Sequence, residues 1–162
     1  MKKPLINAAF IDGNNLHRSA LDMGWILNTR KFRIHLTETY QVRKAYYCVG
    51  YIPDNIGLYA RLQSEGYEMI FKKVRYIDGQ PKGNVDAELV LKCMTQYRVY
   101  NEAVIVTSDG DFACLVKYLI QKGKLRKVIA SKRENCSKLL EDAAGAYITY
   151  LNDLRKKLEY FK

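Results

Sequence analysis

The 162-residue sequence contains no apolar run approaching the roughly 20 residues needed to cross a bilayer. Its Met1-Lys2-Lys3-Pro4 lead runs straight into a strand pattern, not into the apolar centre of a signal peptide. Both absences predict a cytoplasmic protein with no membrane partner. Paired cysteines are also lacking, because Cys48, Cys93, Cys114 and Cys136 are far apart, lie in apolar patterns and form no metal-ligand spacing. This argues against zinc or a disulfide framework and predicts buried, reduced thiols. There is no low-complexity segment, internal repeat or linker. The expectation is therefore a single domain over residues 1–162, with a core at about 5–151 and a C-terminal helix at about 152–161. Such a chain can bury roughly two thirds of its unfolded surface. Acidic residues are in deficit, with 17 Asp plus Glu against 27 Lys plus Arg, a net charge of +10 and a pI near 9.4. That balance favours a polyanionic partner. The thirteen tyrosines offer stacking faces for bases, although each taken singly reads as amphipathic packing.

What is present is an alternation of strand and helix patterns. Leu5–Ile11, Val42–Gly50, Tyr67–Ile77, Val104–Val106, Leu125–Ala130 and Ala146–Leu151 read as strands. Helical spacing follows over Leu16–Met23, Ile56–Glu65, Val85–Tyr97, Phe112–Ile120, Cys136–Ala143 and Asn152–Phe161, while Arg30–Tyr40 is ambiguous between helix and strand. The alternation predicts a three-layer α/β/α sandwich on a mainly parallel sheet, with right-handed crossovers.

Carboxylates stand where strands end. The run Val104-Ile105-Val106-Thr107-Ser108 stops at Asp109-Gly110-Asp111, and the first strand stops at Asp12-Gly13-Asn14-Asn15. A third acid, Asp86, opens a helix after Lys82-Gly83-Asn84. In open parallel sheets, ligands bind beyond the carboxyl ends of the strands. If the first and fourth main strands are neighbours, Asp12 and Asp109 share one crevice. Acids gathered there repel one another unless a cation neutralises them, and an all-oxygen ligand set selects Mg²⁺ or Mn²⁺. Phosphodiester hydrolysis is the matching chemistry. Asn14, Asn15, Thr107 and Ser108 offer neutral hydrogen bonds to a carboxylate, a water or a phosphate oxygen. The same residues also make ordinary turns and helix caps, and for Asp86 alone a helix-dipole role weighs equally.

Three segments carry a resemblance: Phe10-Ile11-Asp12-Gly13-Asn14-Asn15-Leu16, Lys82-Gly83-Asn84-Val85-Asp86-Ala87-Glu88-Leu89 and Val106-Thr107-Ser108-Asp109-Gly110-Asp111-Phe112. Together and in this order they resemble the NYN domain, a branch of the PIN-like nuclease superfamily close to the LabA-like proteins, over about residues 5–151. The resemblance implies a PIN-like Rossmannoid sheet and a divalent-metal ribonuclease site with Asp12, Asp86, Asp109 and Asp111 at the positions of the family acids. Asn15 matches the polar residue beside the first of them. Metal-activated water, not a covalent intermediate, is implied as the nucleophile. One position departs: Lys92 stands where many relatives have another aspartate, and Glu88, two residues from Asp86, points to a different helical face.

Basic residues concentrate in Lys72–Lys82, Lys122–Lys138 and Arg155–Lys157. Lys82, on the loop leading to Asp86, and Lys132 and Arg133, just past the fifth main strand, are the candidates for holding an RNA backbone. His17 reads as a surface or packing residue and His35 carries no signal. The leading expectation is a metal-dependent endoribonuclease acting on single-stranded RNA. A catalytically weak RNA-binding module is the alternative that Lys92 raises. A phosphotransfer or small-phosphate hydrolase domain is a third reading, which needs Asp78 as phosphoacceptor at the end of the third strand. A homo-oligomer is left open.

Overall fold

The computed structural model describes residues 6–161; the Met1–Pro4 lead and Leu5 lie outside them. In chain order the strands are β1 (Asn7–Asp12), β2 (Val42–Tyr51), β3 (Tyr67–Lys73), β4 (Arg75–Ile77), β5 (Gln80–Lys82), β6 (Ala103–Val106), β7 (Leu125–Ala130) and β8 (Ile148–Tyr150). The helices are α1 (Gly13–Met23), α2 (Thr29–Tyr40), α3 (Ile56–Ser64), α4 (Asp86–Thr95), α5 (Ala113–Gln121), α6 (Lys138–Ala144) and α7 (Arg155–Leu158).

Six strands form one sheet in the order β3-β2-β1-β6-β7-β8, and every pairing in it is parallel. All six residues of β1 are buried, as a central strand covered on both faces requires. Successive side chains of a strand point to opposite faces. Ala8 and Phe10 accordingly enter one apolar cluster, with α4, α5 and α6, while Ala9 and Ile11 enter a second, with α1, α2 and α7. The expected three-layer sandwich is what forms. Chain direction reverses its lateral progress at β1, so the β1/β6 boundary is the switch point of the sheet.

The ambiguous stretch before β2 is helical. The Asn28 side chain accepts from the Lys31 amide at 3.0 Å, and Phe32 and Leu36, four residues apart, bury one face while Ile34 stays about half exposed.

Three expectations are corrected. The strand expected over Tyr67–Ile77 breaks at Val74, and Arg75–Ile77 turns back on Gln80–Lys82 as an antiparallel hairpin. Asp78 and Gly79 both take positive φ, 52° and 75°, as a two-residue hairpin turn requires. Asp78 therefore sits in an exposed turn and not at the end of a parallel strand, which removes the phosphoacceptor position of the phosphotransfer reading. The C-terminal helix expected from Asn152 is a 3₁₀ turn followed by the single turn of α7, because the Asn152 side chain accepts from the Trp25 indole at 2.9 Å instead of capping a helix. Among the thiols, Cys48 and Cys93 are buried, but Cys114 is exposed and Cys136 half-buried. Cys114 lies on the outward side of α5.

Candidate metal centre

Ile11 of β1 lies opposite Val106 of β6, so Asp12 and the segment Thr107–Asp111 leave the sheet side by side. Asp86, the first residue of α4, reaches the same place from the other layer. One carboxylate oxygen from each of Asp12, Asp86 and Asp109 lies within 4.8 Å of the other two. Asp111 is exposed on the outer side of this triangle, near enough to raise the Asp86 pKa through its charge.

Each acid is fixed by local chemistry. Asp12 caps α1, one carboxylate oxygen accepting from the Asn15 amide at 3.1 Å and the other from the Thr107 hydroxyl at 3.2 Å. The Thr107 oxygen in turn accepts from the Asp109 amide at 3.2 Å. Asp109 caps the 3₁₀ turn Gly110–Phe112 by accepting from the Asp111 amide at 2.9 Å. The Asp86 amide donates to the Asn84 side chain at 2.8 Å. These contacts show that the capping reading and the cluster coexist, since a capping carboxylate keeps lone pairs free for a second partner.

Electrostatically the cluster is frustrated. Asp12 is 3% exposed, and burial, reinforced by the charges of Asp86 and Asp109 and only partly offset by its two hydrogen bonds, pushes its carboxyl up to about 6. Burial and then the Asp109 charge raise Asp86 as well. Among the described residues, none of the three acids forms an ion pair with a Lys, Arg or His. Oxygen-only donors, converging like charges and no internal cation fit a hard divalent ion. The cluster can therefore bind a metal.

Lys92 does not supply the missing charge. Its ammonium lies 4.9 Å from the centre of the Tyr46 ring. Glu88 faces Lys72 at 3.6 Å and stands outside the triangle, as its helical offset from Asp86 anticipated.

The remaining sequence candidates divide sharply. The Asn14 amide group donates to the Gly83 carbonyl at 2.6 Å and accepts from the Gly50 amide at 3.3 Å, tying the end of β2 to the segment before α4. Asn15 accepts from the Ser108 amide at 2.9 Å, locking α1 to the end of β6. The Ser108 hydroxyl is shared with the Ser131 hydroxyl and amide, at 3.0 and 2.9 Å. Lys132 donates to the Asp22 carbonyl at the end of α1 at 3.0 Å, and the Arg133 guanidinium lies 4.6 Å from the Tyr150 ring centre. Only Lys82 keeps an unengaged side chain on the wall of a cleft that runs from the acids.

That cleft has a volume of about 410 Å³. Asp12, Asp86 and Asp109 stand in it, and the start of α1, the start of α3 and the β4–β5 hairpin wall it. Its existence depends on the break at Val74. A Cβ on Gly50 would lie 2.7 Å from a Val74 methyl, so glycine there lets the hairpin fold over the end of β2. Arg18 and His17, both exposed, also line it. The sequence offers no reason to single out Arg18, and His17 reads from it as a surface or packing residue. Their one available signal was position, one turn into the helix that the first acid caps.

Fold and site together define a doubly wound α/β domain with an acidic, metal-competent cluster at its switch point. The NYN domain matches residues 7–152, and the chain belongs to that family, whose members are generally nucleases. It is 27% identical over 168 positions to the "Low amplitude and bright protein LabA" of Synechococcus elongatus, an alignment covering 97% of this chain and 89% of the relative. A crystal structure of a Vibrio parahaemolyticus protein of unknown function shares the fold, with a TM-score of 0.78 and 20% identity over 99% of this chain and 100% of that one.

Proposed function

We propose that the domain is a divalent-metal-dependent ribonuclease of the cytoplasm, hydrolysing single-stranded RNA with Asp12, Asp86 and Asp109 as the ligands of Mg²⁺ or Mn²⁺. The observation that carries the proposal is the convergence of these three carboxylates, without an ion-pair partner among the described residues, in a cleft whose walls include Arg18 and Lys82. When bound, the ion supplies acidification of water and compensation of charge on the phosphate. The protein's own part is positional. Thr107 and the Asn15 amide hold both oxygens of Asp12 in place, and Asp109 is held by the turn it caps. To Asp111, exposed and beside Asp86, we assign the acceptance of a proton from water. Lys82 contributes charge toward the RNA backbone.

The alternative of an RNA-binding module with a weakened site rested on Lys92. Its ammonium lies over Tyr46 and is in no ion pair with the three carboxylates, which favours the catalytic reading. The deciding experiment is cleavage of labelled single-stranded RNA with and without Mn²⁺ or Mg²⁺. Cleavage that depends on the ion and disappears in Asp109→Asn is expected. Equal cleavage by the variant would sink the proposal.

A further inference from the structure

At its far end the cleft wall includes Tyr59, which is buried and donates to the Gly50 carbonyl at 3.2 Å. Two more rings pack on it: Tyr51 at 5.7 Å and Phe71 at 4.9 Å between ring centres, with Tyr51 and Phe71 themselves 5.3 Å apart. These outer two rings are 38% and 41% exposed. In the β2–β3 register Val49 pairs with Phe71 and Tyr51 with Lys73, so all four residues lie on one face, at the ends of β2 and of the edge strand β3. Aromatic area of this kind is what sheets normally bury.

The adjoining hairpin carries a second anomaly. Arg75 and Lys82 are directly opposed in the β4–β5 register, and like charges in that position repel. Among the described residues, Arg75, Lys82 and Lys73 have no carboxylate partner. Lys72, by contrast, is taken up by Glu88 and the Asn84 carbonyl on the other face. A repelling cation pair beside exposed rings fits a ligand that brings phosphates and flat faces together. Single-stranded nucleic acid is that ligand, because a duplex hides the base faces.

We propose that the Tyr51–Phe71–Lys73 face and the Arg75–Lys82 pair form a track for the unpaired RNA strand leading to the acidic cluster, with bases stacked on the rings and phosphates on the hairpin cations. As a path to a cutting site, the inference rests on the nuclease reading. It adds the direction from which the strand arrives and the reason for preferring it to a duplex.

The test uses the full chain carrying Asp109→Asn in metal-free buffer, so that binding is read without cleavage. Fluorescence anisotropy is measured with a labelled oligouridylate, a labelled oligoadenylate and an RNA duplex of the same length. Tyr51→Leu with Phe71→Leu keeps apolar contact on Tyr59 but removes the flat faces. It is expected to weaken single-strand binding at least tenfold and duplex binding less than twofold. Arg75→Gln with Lys82→Gln is expected to flatten the slope of log affinity against log salt by about 1.4, two phosphates at about 0.7 each. Single-strand affinity within twofold of the parent in the leucine pair, or an equal loss for the duplex, would overturn the track. If thermal melting shows the leucine pair unfolded, the exposed glutamine pair decides, and an unchanged salt slope overturns the proposal. The same substitutions in the full chain that keeps Asp109, assayed for cleavage with Mn²⁺, keep the two readings apart. Cleavage with unchanged KM rejects the track and leaves the nuclease. Ring-dependent binding by a chain that never cuts rejects the nuclease and leaves a single-strand binding face.

Discussion

Replacing Asp12 with asparagine should stabilise the metal-free protein while abolishing its activity. The Asp12 carboxyl is pushed up to about 6, chiefly by burial, against about 3.9 in an unfolded chain. A gap of about two units, at 1.36 kcal/mol each, means that ionised Asp12 destabilises the metal-free fold by about 3 kcal/mol. Below about pH 4 both states hold the proton and there is no penalty. Between about 4 and 6 the folded chain keeps a proton that the unfolded chain has lost, so this contribution falls as pH rises, and above about 6 the full penalty stands. In Asp12→Asn the amide oxygen still accepts from the Asn15 amide, but the Thr107 hydroxyl loses an acceptor, which costs about 1 kcal/mol. The expected net gain at pH 7.5 is about 2 kcal/mol, a rise in Tm of about 4–8 °C. Near pH 4 the gain should vanish or reverse by about 1 kcal/mol. The assay is thermal unfolding by circular dichroism in EDTA at both pH values, repeated with Mn²⁺, which should raise the wild-type Tm and leave the variant unmoved. An equal loss of stability at both pH values would refute the reasoning, since it would show that the ionised carboxylate carries no burial penalty.

Gly13→Ala should destabilise the fold, because the added methyl would overlap the Tyr47 ring and lie 2.7 Å from the Cys48 carbonyl. Overpacking of this kind costs about 1–3 kcal/mol, offset by at most about 1 kcal/mol of helix propensity, and a Tm drop of several degrees by calorimetry is the check. Lys92→Met should leave Mn²⁺-dependent cleavage within threefold of wild type while removing a cation–π contact worth about 0.5–1 kcal/mol, so a large loss of rate would place Lys92 in the site after all. Lys132→Met removes a donor to the last turn of α1 and should lower stability by about 1 kcal/mol with no more change in RNA affinity than any surface lysine gives.

The acids were legible because two independent patterns agree on them. A β-branched, unbroken apolar run marks a strand buried on both faces, and the polar residue that ends it is delivered to the carboxyl edge whatever the rest of the chain does. Asp12 and Asp109 needed only the adjacency of β1 and β6 to meet. The roles of their polar neighbours were not legible in that way. Asn14 looks equally suited to a ligand and to its own backbone, and the choice is made by Gly50 and Gly83, which lie 36 and 69 residues away along the chain. Ser108 is likewise engaged by Ser131 at the end of the neighbouring strand. Local sequence states what a side chain can bond, and long-range topology states what it meets. The break of the third strand at Val74 is hidden from the sequence for the same reason: Val74 suits a strand locally, and only its packing against Gly50 and Gly83 turns the hairpin across the sheet end.

Net charge shows the same division between composition and arrangement. A surplus of ten positive charges argues for a polyanion but assigns it no surface. Many of the cations serve the fold itself: Lys124 donates to the Tyr97 and Tyr100 carbonyls, Arg33 to the Gly66 and Arg43 carbonyls, Lys31 to the Glu159 carbonyl and Lys132 to Asp22. Each of these counts toward the surplus, yet a phosphate would have to compete with a carbonyl already in place. The charge that bears on binding is what remains when such partners are subtracted. Lys73, Arg75 and Lys82 belong to that remainder: Lys73 pairs with Tyr51 in the β2–β3 register, Arg75 stands opposite Lys82, and Lys82 lines the cleft that holds the acids. The break at Val74 puts it there, because the residues that would have extended β3 away from the site fold back as the hairpin instead. The hairpin that the strand pattern does not anticipate is thus the element that brings Lys82 to the cleft of the carboxylates.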